Sequence, residues 1–463
     1  MKYEEIIRLD RQHLWHPFTP HSVWMDPSFH PISIASGEGP WLISTEGKRY
    51  LDGNSSIWTN LHGHRHPIID EAIRKQLEQI AHSSFLGLTH EPAARLAGQL
   101  VEYAQRKGCS SPLTRVFYSD DGSTAMETGL KMVLQSFAQN GQPQRTEFLS
   151  PDGAYHGDTV GAMSLGHSDL FHRHYRPVLF PSKKVMPPAC YRCPYNQAKP
   201  EQADARTYRK CGFECASLAE EEISRAGERL AAWVLEPRVQ GAAGMLMHPH
   251  GYAARTSAAA RQVGARVIFD EVLTGLGRTG MPFASHAEEV TPDILALAKG
   301  LTGGYLPLAA TLTQEDIFQS FGGSQNRTFF HGHSYTANPL GCAAASANLK
   351  LLNDPEQKKR HQDLILNLKN LSGRFWTHSK VGDVRQEGAI LAVELVADRA
   401  SRTPFPLEKR MGARVCQSAQ DHGLITRPVG DVLVLMPPYC TSAEELEKMV
   451  DALVQVLKKE LPS

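Results

Sequence analysis

A chain of 463 residues is too long for one simple core, so two or more packed domains are expected. Apolar content of 41% and charged content of 21% are ordinary for a soluble globular protein, and 49 basic against 49 acidic residues leave no excess to bind nucleic acid. No run of about 18 apolar residues is present to span a membrane, and residues 1–10 lack the apolar core of a signal peptide, so a cytoplasmic enzyme is the default.

The pattern in chain order begins with short strand-like pieces and turns over residues 1–65. Among them Trp41–Ser44, a turn at Glu46-Gly47 and Arg49–Leu51 read as a hairpin. Residues 67–81 read as a helix, with Pro67 near its start and Ile73, Leu77 and Ile80 on one face. From about residue 90 to 310 strands and helices alternate, which predicts a doubly wound α/β domain with a mostly parallel sheet. Its expected strands are Arg115–Tyr118, Glu147–Ser150, Ala232–Leu235, Val267–Phe269 and Ile294–Ala296. Residues 341–375 are mostly helical by pattern. A final unit follows with strand-like Ala389–Leu395, helix-like Glu408–His422, strand-like Val432–Met436 and a helix over 442–460. The expected division is an N-terminal segment of a small α+β domain over 1–66, a large domain over 67–340, and the rest of the small domain over 341–463.

Two of these strands each end on one charged residue, Asp270 and Lys299. A lysine and an aspartate emerging together at the top of a parallel sheet suit pyridoxal 5'-phosphate (PLP). The lysine forms a Schiff base, and the carboxylate keeps the pyridine nitrogen protonated so that the ring accepts electrons. Tyr118 to Met132 runs from a strand through a Gly122-Ser123 turn into a helix, an anion site suited to a phosphate or simply an N-capping turn. After the next strand, Tyr155 offers a ring to stack on the pyridine or is a surface loop residue. Glu236-Pro237 and Gln240 stand where they either hydrogen-bond near the cofactor's phenolic oxygen or stop the strand.

The ordered set Gly122-Ser123, Tyr155-His156-Gly157, Glu236-Pro237, Asp270 to Gly280 and Lys299-Gly300 resembles the class III aminotransferases of the type I PLP-dependent transferase fold. The flanks resemble the branch that makes 7,8-diaminononanoate in biotin biosynthesis: His13 to Pro20, Asp52 to Trp58, His62 to His64, Phe330 to Thr336 and Leu424 to Pro428. That branch transfers an amino group to 8-amino-7-oxononanoate, with S-adenosylmethionine the usual donor. The resemblance implies that Lys299 is the Schiff-base lysine, Asp270 the pyridinium partner, and Gly122 and Ser123 phosphate binders. It places Tyr155 on the ring and against substrate. It also implies a homodimer with shared active sites, in which Gly332, His333 and Ser334 reach the partner's cofactor phosphate. Arg427 would hold the substrate carboxylate through its planar fork. Phe18, Ile57 and Trp58 would line the substrate pocket.

Three positions depart from that pattern. Phe18 stands where a tyrosine is common, Ile57 replaces the first of two tryptophans, and His333-Ser334 replaces a Pro-Thr pair. Ser334 keeps a hydroxyl for phosphate, whereas the first two changes alter the donor pocket and make lysine an alternative donor. Other class III activities, an ω-aminotransferase for diamines or an aminomutase, also fit the core motif. A silent PLP-binding regulator does not account for the intact Lys299 and Asp270.

Eight cysteines form two groups. Cys109, Cys342, Cys416 and Cys440 are scattered and read as reduced, mostly packed thiols. Cys190-Tyr-Arg-Cys193 and Cys211-Gly-Phe-Glu-Cys215 are short-spaced pairs that fit a tetrahedral zinc knuckle. Enzymes of the resembled branch do not need such a site, so unmetallated thiols are expected and no metal is assigned.

Overall fold

The computed structural model describes residues 1–105 and 112–461; Cys109 lies outside the described residues. Three strands come first, β1 (Ile34–Glu38), β2 (Trp41–Ser44) and β3 (Arg49–Asp52). Then follow β4 (Leu113–Ser119), β5 (Glu147–Pro151), β6 (Lys183–Val185) and β7 (Leu230–Leu235). A short ribbon, β8 (Val239–Gln240) and β9 (Leu246–Met247), precedes β10 (Arg266–Asp270), β11 (Ile294–Leu297) and β12 (Ala309–Gln314). The last strands are β13 (Val381–Glu387), β14 (Ile390–Leu395), β15 (Leu424–Ile425) and β16 (Val432–Leu435).

The large sheet has seven strands in the order β4-β12-β11-β10-β7-β5-β6. All run parallel except β12, which is antiparallel to both β11 and β4. Helices cover both faces, so β7 and β11 are buried along their whole length and read as unbroken apolar runs. From β5 the chain moves outward to the edge strand β6, whereas from β7 it moves inward to β10. The loops after β5 and β7 therefore diverge, and a crevice opens at the C-terminal ends of the strands.

A second sheet, β1-β2-β3-β15, joins the two ends of the chain. β15 lies parallel to β3, with Leu424 opposite Leu51 and Ile425 opposite Asp52. A third, antiparallel sheet, β13-β14-β16, packs beside the helices Met411–Ala419 and Ala443–Glu460. The latter helix starts in a capping box, with Ser442 and Glu445 each holding the other's backbone N–H.

The helix Pro67–Gln79 packs through its first turns. Ile69 is fully buried against Ala344, Ala347 and Leu351, and Ile73 packs beside them, but Leu77 and Ile80 stay exposed. The helical stretch after 340 is two helices, Pro339–Asn353 and Pro355–Ser372, because Asp354-Pro355 ends one and caps the next. The helix expected over 408–422 is Met411–Ala419, flanked by single 3-10 turns.

Candidate active site

The loops leaving β4, β5, β7 and β10, with the turn after β11, enclose a cavity of about 760 Å³. That volume suits a small-molecule site. Each strand delivers polar groups to it: Asp121, Gly122 and Ser123 after β4, Tyr155 and His156 after β5, Glu236 after β7, Asp270 from β10, and Lys299 after β11.

Asp270 is nearly buried and its carboxylate is fixed on two sides. Oδ2 meets Nδ1 of His156 at 2.7 Å, and Oδ1 accepts the Val272 N–H at 3.0 Å. His156 is wholly buried. Burial is the largest influence and opposes its charge, yet the Asp270 hydrogen bond and the charges of Asp270 and Glu236 together hold the imidazole above its ordinary value. Its Nε2 is buried without a hydrogen-bond partner. Glu236 accepts the Tyr155 N–H at 3.2 Å and the Gly241 N–H at 2.9 Å. Burial pushes its carboxyl up to about 7; His156 opposes that rise and Asp270 adds to it.

Lys299 opens a 3-10 turn, Lys299–Thr302, and its own φ is +40°, a conformation that costs a non-glycine residue energy. Its ammonium lies 4.9 Å from the centroid of the Trp58 ring. Burial lowers the pKa of the amine, with Arg278 acting in the same direction and Asp270 and Glu236 opposing. A buried amine with lowered proton affinity is suited to act as nucleophile and base.

The helix Gly122–Gln139 points its N-terminus at the cavity. Asp121 caps it by accepting the Thr124 N–H at 2.9 Å, and the Thr124 hydroxyl returns a bond to the Asp121 N–H. The free N–H groups of such a turn attract an anion. Ser123 Oγ lies 2.7 Å from Thr159 Oγ1 and accepts the Thr159 N–H at 2.9 Å, which joins the loops after β4 and β5. Glycines permit that approach and a second one, between the start of the helix and the loop after β10. A Cβ on Gly122 would stand 2.7 Å from Val272 Cγ1, and one on Gly157, at φ +115°, 2.3 Å from Ser123 Cβ.

The wall that carries Trp58 has an unusual backbone. Ser55, Ser56, Ile57 and Trp58 all have positive φ, from 46° to 69°, a left-handed turn made without glycine. Each such residue costs about 1–2 kcal/mol. Asp52 holds the turn by accepting the Ser56 N–H at 2.9 Å and the Ser56 hydroxyl at 2.8 Å. The Ser55 hydroxyl donates to the Met436 carbonyl at 2.6 Å, and buried Arg278 donates to the carbonyls of Trp58 and Asn60.

Of the residues singled out in the sequence, Trp58, Gly122, Ser123, Tyr155, Asp270 and Lys299 line this cavity together. Tyr155 donates its hydroxyl to Asp158 at 2.7 Å and packs edge-on against Phe171, which in turn packs edge-on against Phe18. Phe18 thus extends an aromatic row from Tyr155 and does not itself line the cavity. Ile57 is exposed beside Trp58. Gln240 faces away, donating to the Asp152 carbonyl at 3.2 Å and meeting His248 at 3.3 Å. Gly332, His333 and Ser334 are on the surface; His333 Nδ1 is 3.6 Å from Asp120, itself at the cavity rim. Arg427 is exposed just beyond β15, whose end pairs with Asp52. The sequence assigned no role to His156. The signal was its place beside Tyr155 after a strand, but a histidine's partner on another strand is set by the sheet order.

With this geometry, the chain belongs to the class III aminotransferases: the family model "Aminotransferase class-III" matches residues 24–457. Over 96% of its length it is 45% identical to the adenosylmethionine-8-amino-7-oxononanoate aminotransferase of Geobacter sulfurreducens, covering 95% of that protein. A crystal structure of the enzyme of the same name from Methanocaldococcus jannaschii superposes with a TM-score of 0.91 at 36% identity, covering 99% of this chain and 100% of that one. An (S)-enantioselective ω-transaminase from Thermomicrobium roseum also gives a TM-score of 0.91, at 32% identity over 100% of both chains.

Proposed function

We propose that this protein is a PLP-dependent aminotransferase that moves an amino group from S-adenosylmethionine to 8-amino-7-oxononanoate, giving 7,8-diaminononanoate for biotin synthesis. The observation that carries the chemistry is the meeting of Lys299 with the His156–Asp270 pair in one cavity at the strand ends. The substrates are proposed from the relatives of that name.

The residues present fit PLP. A lysine amine of lowered pKa lines the cavity floor, a carboxylate held by a fully buried histidine faces it, and a helix N-terminus with Ser123 suits the phosphate. When bound, PLP supplies an aldehyde that captures amines and a cationic ring that takes up electron density. Lys299 would hold the cofactor through its amine, and as a free amine Nζ would carry the donor's α-proton. Asp270 would present its carboxylate to the ring nitrogen, with His156 and the Val272 N–H fixing its two oxygens. Tyr155 covers one face of the site, and Trp58 closes the side next to Lys299. The same groups then serve the second half-reaction in reverse, a ping-pong scheme.

Arg427 is the proposed partner of the acceptor's carboxylate. It is exposed beside the turn that carries Trp58, and among the described residues its side chain has no hydrogen bond or ion pair. Trp58 and Tyr155, which line the cavity, support a sulfonium donor, since aromatic faces attract a cation by about 0.5–2 kcal/mol per good contact. Lysine remains the second reading because Phe18 and Ile57 replace the more usual phenol and indole.

The active form is proposed to be a homodimer in which Gly332, His333 and Ser334 reach the partner's cofactor phosphate. Support comes from a patch of exposed apolar side chains at that place: Leu77, Ile80, Leu86 and Leu88 with Phe330 and Tyr335. The two stretches adjoin where the His82 and Tyr335 rings lie 4.8 Å apart. Among the described residues no helix is long and apolar enough to cross a membrane.

Single-turnover mixing tests the assignment. S-adenosylmethionine should bleach the visible absorption of the holoenzyme, and 8-amino-7-oxononanoate should restore it with formation of 7,8-diaminononanoate. Bleaching by lysine but not by S-adenosylmethionine would overturn the donor. Failure of the keto acid to restore the absorption after any donor would overturn the acceptor.

A further inference from the structure

Residues 186–213, between β6 and the helix Glu214–Ala226, hold one helical turn, Ala205–Tyr208, as their only regular element. Their apolar cluster is small: Cys190, Tyr191 and Ala205 gather on Val396, with Tyr208 alongside. A segment of this length without its own core calls for a staple.

Its two cysteine pairs are brought together by the fold. In the first, the Arg192 N–H reaches the Ala189 carbonyl at 2.9 Å, and Asn196 Nδ2 donates to the Cys190 carbonyl at 2.9 Å. The same Asn196 accepts the Lys210 N–H through Oδ1 at 2.9 Å, which ties the first pair to the stretch that enters the second. In the second, Phe213 turns with φ +67° into the helix, whose first turn carries Cys215. Cys190, Cys193, Cys211 and Cys215 line a single void of about 10 Å³, and all four are free thiols. The void shares no lining residue with the cavity that holds Lys299.

We propose that these four cysteines bind one zinc ion as a structural site. The spacing, two residues within one pair and three within the other, is that of a four-thiolate zinc knuckle. Among the described residues no three metal-ligating side chains already stand at ligating positions, so the thiols close around the ion as it binds. Four Zn–S bonds form, four S–H bonds break, and the protons pass to solvent; no electron is transferred. The resulting centre carries excess negative charge. Arg209 stands beside it, with Nη1 3.4 Å from Cys211 Sγ and its guanidinium 4.7 Å from the Phe213 ring centroid.

What the staple holds is the seam between the two domains. Arg192 Nε meets Glu394 at 2.5 Å, and Arg206 Nη1 meets Glu387 at 2.6 Å, both on the β13–β14 hairpin. From that hairpin Arg385 donates to the Gly244 and Met245 carbonyls at 2.6 and 2.8 Å, in the loop next to cavity-lining Gly241. The metal therefore acts on stability and on the fit of the small domain, not on the reaction.

The test is metal analysis of the holoenzyme purified without chelator. About one zinc per chain is expected, released by a thiol-blocking mercurial and detected with a metallochromic dye. Removing it should lower the melting temperature. Cys190→Ser combined with Cys215→Ser should lose the metal, whereas Cys416→Ser should keep it. Wild-type protein that carries no zinc after growth with zinc would overturn the proposal, whether its four thiols titrate as free or prove to be disulfide-linked. If the double variant does not fold, the wild-type stoichiometry and mercurial release decide alone.

Discussion

Replacing His156 by alanine isolates the support that Asp270 receives from behind. The 2.7 Å contact is a hydrogen bond between a buried carboxylate and an imidazole whose pKa is raised. Such a charge-assisted bond contributes about 1.5–3 kcal/mol. Asp270 keeps the Val272 N–H in the variant, so the loss stays within this range and below the roughly 3–5 kcal/mol of an abandoned buried charge. If the whole loss falls on the transition state, kcat drops about 10- to 160-fold. His156→Asn returns an N–H donor near Nδ1 without the charge and should recover part of the rate. The assays are kcat at saturating substrates and the pH at which the holoenzyme's visible absorption changes, which should shift in the alanine variant. Stability gives a second readout with a definite sign. A histidine whose pKa is raised on folding contributes fully below its unfolded value of about 6.5, and the contribution fades as pH rises through the folded value. The melting-temperature gap between wild type and His156→Ala should therefore be widest near pH 6 and narrow at higher pH. An alanine variant with wild-type kcat and an unmoved spectral midpoint would refute a positioning role for His156.

Lys299→Ala should abolish turnover and the visible absorption of lysine-bound cofactor, because among the described residues no other lysine lines the cavity; normal turnover would remove Lys299 from the chemistry. Arg427→Ala should weaken 8-amino-7-oxononanoate by about 2–4 kcal/mol, read as a higher KM, since the carboxylate loses its charged partner. Dilution of the holoenzyme into monomers, followed by light scattering and cofactor absorbance, should release PLP; a monomer that holds it as tightly as the dimer would contradict a shared site.

The large sheet was legible because its central strands are buried on both faces and carry little but apolar residues. β10 and β11 stand out as Val267–Phe269 and Ile294–Ala296, each ending where a charged residue leaves the sheet. β12 was not legible. Ala309–Gln314 reads as Ala-Ala-Thr-Leu-Thr-Gln, with no apolar run, and its antiparallel place between β4 and β11 follows from the chain returning, not from local preference. β13 was missed for a related reason: Asp383, Arg385 and Glu387 give it the look of a surface segment, whereas they form two sets of buried ion pairs, Arg385 with Asp383 and Glu394, and Glu387 with Arg206 and Arg238. At the site, residues next to strand ends were found from the sequence. Gln240, also near a strand end, turns toward His248 because the β8–β9 ribbon rotates it away from the cavity. Ile69 was not singled out, yet it is the residue of the helix 67–79 that reaches the core, while Leu77 and Ile80 of the apolar face stay exposed.

The left-handed turn at Ser55–Trp58 has a bearing on how the chain matures. At about 1–2 kcal/mol for each of its residues, the turn does not form unaided, and among its props are Met436, which receives the Ser55 hydroxyl, and β15, which pairs with the strand leading into it. Those residues leave the ribosome some 370 positions after the turn itself, as the interval from Leu51 to Leu424 makes plain. A nascent chain can thus assemble the parallel sheet and present Lys299 and Asp270 before the Trp58 wall exists. The Trp58 wall then forms after the parallel sheet, and a chain cut between β14 and β15 should keep Lys299 and Asp270 at the strand ends while losing the props of that wall.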